Sequence, residues 1–146
     1  MIPLMSNAKW RKLFCVIEEA EVSVGRCGIK FLRDDRVFVE STPGGEDLDN
    51  EGARDCFVCG PFFFRDIEWM EWPRSYEDSR GPGLKPWVRT QDIEALREAI
   101  ASAGRFDIES TSEHLRVYGC RTARQKTEHE AAQDRESAGA PSAPVT

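Results

Sequence analysis

Asp66-Ile67-Glu68-Trp69-Met70-Glu71-Trp72-Pro73 closes a run from Phe62 to Trp72 that has the composition of a β-strand. Successive strand residues point to opposite faces, so Ile67, Trp69 and Glu71 project one way and Glu68, Met70 and Trp72 the other. Neither face is cleanly apolar. That pattern predicts a strand half exposed at a sheet edge or under a loop, rather than a central one.

On the N-terminal side, Trp10, Leu13, Phe14 and Ile17 recur at helical spacing, which predicts a helix capped by Ser6 or Asn7 and running to about Glu21. Val22, Val24, Ile29, Phe31, Val37 and Val39 alternate with polar residues and are interrupted at Asp34-Asp35, as in two or three antiparallel strands. Thr42 to Arg54 contains Pro43-Gly44-Gly45 and many acids, and reads as an exposed loop. Cys56 to Val58 has strand composition again.

On the C-terminal side, Ser79-Arg80-Gly81-Pro82-Gly83 predicts a long irregular connection ending near Pro86-Trp87. A second helix follows, with Thr90 as its cap, Asp92 and Glu94 in its first turn, Ile93, Leu96 and Ile100 on its buried face, and Gly104 at its end. Phe106 to Glu109 and Leu115 to Tyr118 read as a hairpin. The expected architecture is one α+β domain over residues 1–120, a mainly antiparallel sheet with two packed helices. Residues 121–146 hold no aromatic residue and read as a flexible polar tail.

The 146 residues are enough for one core, and 40% hydrophobic composition excludes wholesale disorder. No apolar run approaches the length of a membrane span, and no leader marks the N-terminus, so the cytoplasm is the expected location. Five cysteines, an odd number, suit free thiols better than a disulfide framework. The tail carries four basic and four acidic residues, so the whole net charge of −6 lies in residues 1–120. An acidic domain lacks the footprint that nucleic acid requires and suits a basic protein partner or simple solubility.

Cys56 and Cys59 have the spacing of a thiol pair that grips zinc or cycles through a disulfide, yet no second pair accompanies them. His114 has no assigned nucleophile beside it. A small thiol- or metal-dependent enzyme using Cys56, Cys59 and His114 therefore stands as the rival to a binding protein, and a housekeeping adaptor as a third reading. No cofactor is implied. Two acidic clusters are candidate partner-binding surfaces. The first includes Glu46, Asp47, Asp49 and Glu51. The second sets Asp66, Glu68, Glu71, Glu77 and Asp78 among Trp69, Trp72 and Tyr76. Rings supply desolvated area and carboxylates steer a basic surface, whereas the bland alternative is a solvated loop beside core tryptophans.

Lys9-Trp10-Arg11-Lys12-Leu13-Phe14, Ile67-Glu68-Trp69-Met70-Glu71, Asp92-Ile93-Glu94-Ala95-Leu96 and Leu115-Arg116-Val117-Tyr118-Gly119, taken in order, resemble a family of small uncharacterised bacterial proteins, some encoded beside antibacterial toxins. The resemblance covers about residues 7–120. It implies an immunity protein that neutralises a cognate toxin, such as a type VI secretion effector with nuclease activity, and it carries over no catalytic or ligand residues.

Overall fold

The computed structural model describes residues 2–54 and 59–121. Along the chain these form β1 (Ile2–Pro3), α1 (Asn7–Glu19), β2 (Arg26–Phe31), β3 (Val37–Ser41), β4 (Gly52–Ala53), β5 (Phe62–Phe63) and β6 (Ile67–Pro73). Then come β7 (Ser75–Asp78), β8 (Trp87–Thr90), α2 (Ile93–Ala103), β9 (Ile108–Ser110), β10 (His114–Tyr118) and β11 (Cys120–Arg121). The main sheet has five strands in the order β3-β2-β6-β10-β9, with every ladder antiparallel. The α+β architecture is as the sequence predicts. No helix among the described residues is long and apolar enough to cross a membrane.

Both helices cover one face of the sheet. Ser6 accepts a hydrogen bond from Lys9 N–H at 3.1 Å to start α1, whose Trp10, Leu13, Phe14 and Ile17 are buried. The predicted cap of α2 is corrected: Asp92, not Thr90, accepts from Ala95 N–H at 3.0 Å. Thr90 is still paired with Ser75 in β8 and so cannot take the capping position. Between them, buried Gln91 ties three elements. Its Oε1 accepts from Arg26 N–H at 2.8 Å, and its Nε2 donates to the Arg26 and Pro73 carbonyls at 2.9 and 2.8 Å.

β6 lies at the centre of the sheet, which overturns its expected edge position. A bulge is the reason. Lys30 pairs with Trp69 and Phe31 with Ile67, so Glu68 has no partner in β2 and the alternation slips by one residue. Ile67 thereby joins Met70 and Trp72 on the helix-covered face, all three fully buried, while Trp69 and Glu71 face away from the helices. One face of β6 is cleanly apolar once the slip is counted. Gly119 lets β6 and α1 come together here, because a Cβ at that position would stand 2.4 Å from Ile67 O and 2.9 Å from the Trp10 ring.

Other expectations also shift. Residues 22–40 contain two antiparallel strands, within the two or three expected, but residues 22–24 belong to neither. The supposed loop 42–54 contains a 3-10 turn at Gly45–Asp47 and β4, and it buries Leu48 and Ala53. Residues 79–86 join β7 to β8 as the turn of a paired hairpin. Arg121 pairs with Ile2 and is buried, one residue past the expected domain end. The predicted strand at Cys56 to Val58 and the predicted tail from residue 122 onward lie outside the described residues.

Candidate partner-binding surface

The two acidic clusters part company in three dimensions. In the first, carboxylates serve the backbone. Asp47 accepts from Gly44 N–H at 3.0 Å, and Asp49 accepts from Glu51 and Gly52 N–H at 2.8 and 2.9 Å. Those two backbone donors hold the Asp49 carboxyl below its ordinary range. Glu18, at the end of α1, accepts from Gly45 N–H at 2.8 Å and joins the helix to the turn. None of Glu18, Glu46, Asp49 and Glu51 forms an ion pair within the described residues. Glu46, Asp49 and Glu51 are exposed, and α1 ends without a basic residue in its last turn. Negative charge at a helix C-terminus is unfavourable, so Glu18 gains nothing from the α1 dipole, and the carboxylates of Glu18 and Asp49 make backbone hydrogen bonds rather than ion pairs among the described residues.

In the second cluster most carboxylates are already matched. On the sheet face away from the helices, Arg116 donates to Glu71 at 2.8 Å and lies 3.9 Å from the Trp69 ring. His114 Nε2 stands 3.1 Å from Glu109 and 3.6 Å from Glu71. Lys30 meets Glu68 at 3.4 Å. Burial raises the Glu109 carboxyl, but the His114 hydrogen bond and the Arg116 charge more than offset it and leave the group below its ordinary range. Asp78 bridges Arg26 at 3.9 Å and Arg89 at 3.1 Å, and Arg26 lies over the Tyr76 ring. Asp66 and Glu77 alone of this cluster are exposed.

Trp72 is corrected as an anchor: it is fully buried among core residues, and its Nε1 donates to Thr42 Oγ1 at 3.0 Å. The exposed anchors are elsewhere. Leu84, Trp87 and Val88, on the hairpin read from the sequence as irregular chain, are 54, 50 and 69% exposed. Val37 and Val39 of the edge strand β3 are exposed as well. An open cleft of about 910 Å³ between the β2–β3 turn and residues 59–66 is lined by Phe31, Phe38, Phe62 and Phe63 with Arg33 and Arg65. At its rim Arg36 hydrogen-bonds Asp34 and holds that carboxyl down to about 2.

The two described residues of the enzyme reading, Cys59 and His114, do not converge. Cys59 N–H donates to buried Glu40 at 2.8 Å on the helix side of the sheet, whereas His114 sits among the carboxylates of the opposite face. Burial and then the hydrogen bond to Glu40 push the Cys59 thiol up to about 12, the reverse of what a nucleophile needs. Cys27 is pushed up too, by burial first and Glu40 second. No cluster of three metal-ligating side chains occurs among the described residues, and Cys56 lies outside them.

Fold and surface together define a class: an α+β domain with one core, a sheet face whose carboxylates Glu68 and Glu71 meet cations, an acidic shoulder without ion pairs among the described residues, and an apolar hairpin. Comparison with known proteins returned no matching family model, no matching curated protein and no matching solved structure.

Proposed function

We propose that this chain is an immunity protein: it neutralises a cognate antibacterial toxin by direct binding in the cytoplasm, without turnover. The observation that carries the reading is the acidic shoulder of Glu18, Glu46, Asp49 and Glu51, none of which forms an ion pair among the described residues, with the charges of Arg54 and Arg11 acting on Asp49. Such a surface steers a basic protein face and repels phosphate backbones, so the fitting partner is a toxin with a basic surface, of the nuclease effector kind, and not nucleic acid. The resemblance of residues 7–120 to a family of small bacterial proteins, some of them encoded beside toxins, points the same way. Matched carboxylates such as Glu71 fix the sheet face instead.

The test is co-expression with the product of the adjacent gene. Growth rescue and co-purification are expected. Replacing Glu46 and Glu51 by Lys, neither of which uses its carboxylate to hold the turn, is expected to slow association by on the order of tenfold at low salt and to flatten its salt dependence. Absence of both rescue and complex removes the reading. Stoichiometric zinc on the purified protein, bound through the thiols, would return the enzyme reading.

A further inference from the structure

β7 and β8 form a two-stranded sheet of their own, outside the five-stranded one. Such a ribbon is marginal alone, and here β7 is held along its length by Arg26, which lies 4.4 Å from the Tyr76 ring centroid and 3.9 Å from Asp78. The turn beyond Asp78, residues 79–86, has no ion pair to the rest of the chain among the described residues. Trp87 is opposite Asp78 in the ladder and Val88 opposite Glu77, so the two apolar side chains emerge on opposite faces, with Leu84 in the turn between the strands. Each is at least half exposed. The Arg80 and Arg89 guanidinium groups lie over the Trp87 ring at 5.1 and 4.6 Å. Asp78 matches Arg89, while Arg80 and Lys85 have no ion pair among the described residues. In a chain of net charge −6, this tip is locally basic and apolar.

We infer that the β7–β8 hairpin is a finger that inserts into a cleft of the protein partner, a cleft with an apolar interior and carboxylates at its mouth. The inference rests on the immunity reading and adds to it the mode of binding. Exposed apolar groups on both faces of a ribbon are covered together only by walls on both sides, which a cleft supplies and a flat surface does not. Trp and Arg are the residue types in which binding energy concentrates, and the carboxylates complement Arg80 and Lys85. A second copy fits less well. Another copy's acidic shoulder offers exposed carboxylates to Arg80 and Lys85 but no walls on both sides for Trp87 and Val88. An anionic membrane is disfavoured by the net charge of the chain.

The experiment measures the affinity of the protein encoded by the adjacent gene for the wild-type chain, for Trp87→Ala, and for the Arg80→Glu, Lys85→Glu double variant. Thermal melts check the fold of each. A loss of at least about tenfold in both variants, with unchanged melts, is expected. Wild-type affinity in both overturns the finger and leaves the immunity reading standing, whereas no complex with the wild-type chain removes both. Binding of the wild-type chain, but not Trp87→Ala, to phosphatidylserine-containing vesicles overturns the inference in favour of a membrane. Concentration-dependent self-assembly that Trp87→Ala abolishes overturns it in favour of a second copy.

Discussion

β6 and the hairpin that follows it are built from the same materials. Each combines tryptophan, carboxylates and a short extended backbone, yet Trp72 is fully buried while Trp87 is half exposed. In β6 the bulge at Glu68 gathers Ile67, Met70 and Trp72 under two helices, and the acids turned outward are met by Lys30 and Arg116. The hairpin has no helix above it, and its tip keeps both its apolar groups and its cations available. The difference teaches that an acidic, aromatic composition marks neither core nor interface. What decides is whether a second layer of structure lies over the strand.

Substituting the two tryptophans would break or sharpen that contrast. Trp72→Ala is expected to cost about 3–5 kcal/mol in chemical denaturation, since it opens a cavity and leaves Thr42 without its indole donor. Trp87→Ala is expected to change stability by less than about 0.5 kcal/mol, as surface substitutions do. Equal costs would mean that the hairpin packs like the core. Gln91→Ala is expected to cost about 2–3 kcal/mol, because the Arg26 N–H and the Arg26 and Pro73 carbonyls lose their partner where hairpin and sheet meet. A melt unchanged by that substitution would detach the hairpin from the sheet's stability.

Smaller effects separate the matched from the unmatched carboxylates. Glu71→Ala is expected to destabilise by about 1 kcal/mol, since it strands the half-buried Arg116. The Glu46→Lys, Glu51→Lys double variant is expected to stay within about 0.5 kcal/mol of wild type. Acid provides the last contrast. The Glu109 carboxyl is depressed in the folded chain, so its contribution is present above the ordinary carboxylate range and is lost as pH falls through the folded value. Glu109→Gln should therefore flatten the acid limb of the stability curve measured by urea melts across pH. An unchanged limb would show that His114 and Arg116 do not hold this group.

Where periodicity is regular, the sequence was legible. The α1 stripe of Trp10, Leu13, Phe14 and Ile17 and the β9–β10 hairpin stand as expected, because 3.6-residue and two-residue repeats report the buried face directly. The edge reading of β6 failed because one bulged residue shifts the repeat by half a period, and no composition signals a bulge. The hairpin was hidden by Gly81, Pro82 and Gly83, turn formers that look alike in a long loop and in a wide hairpin turn. Of the candidate site, the acids at 46–51 were legible as a cluster. Which acids had internal cations was not, since Arg116 and Glu71 are far apart in the chain.

By itself the sequence determined the α+β class, the two helices, the single core and the acidity of the domain, since these follow from local periodicity and from charge, which are additive along the chain. Only the tertiary structure decided that β6 is central, that Trp72 is core while Trp87 is surface, and that Glu68, Glu71 and Asp78 meet cations while Glu46, Asp49 and Glu51 form no ion pair among the described residues. Those properties depend on which residues distant in the chain arrive within a few ångströms, and strand register and layer packing set that.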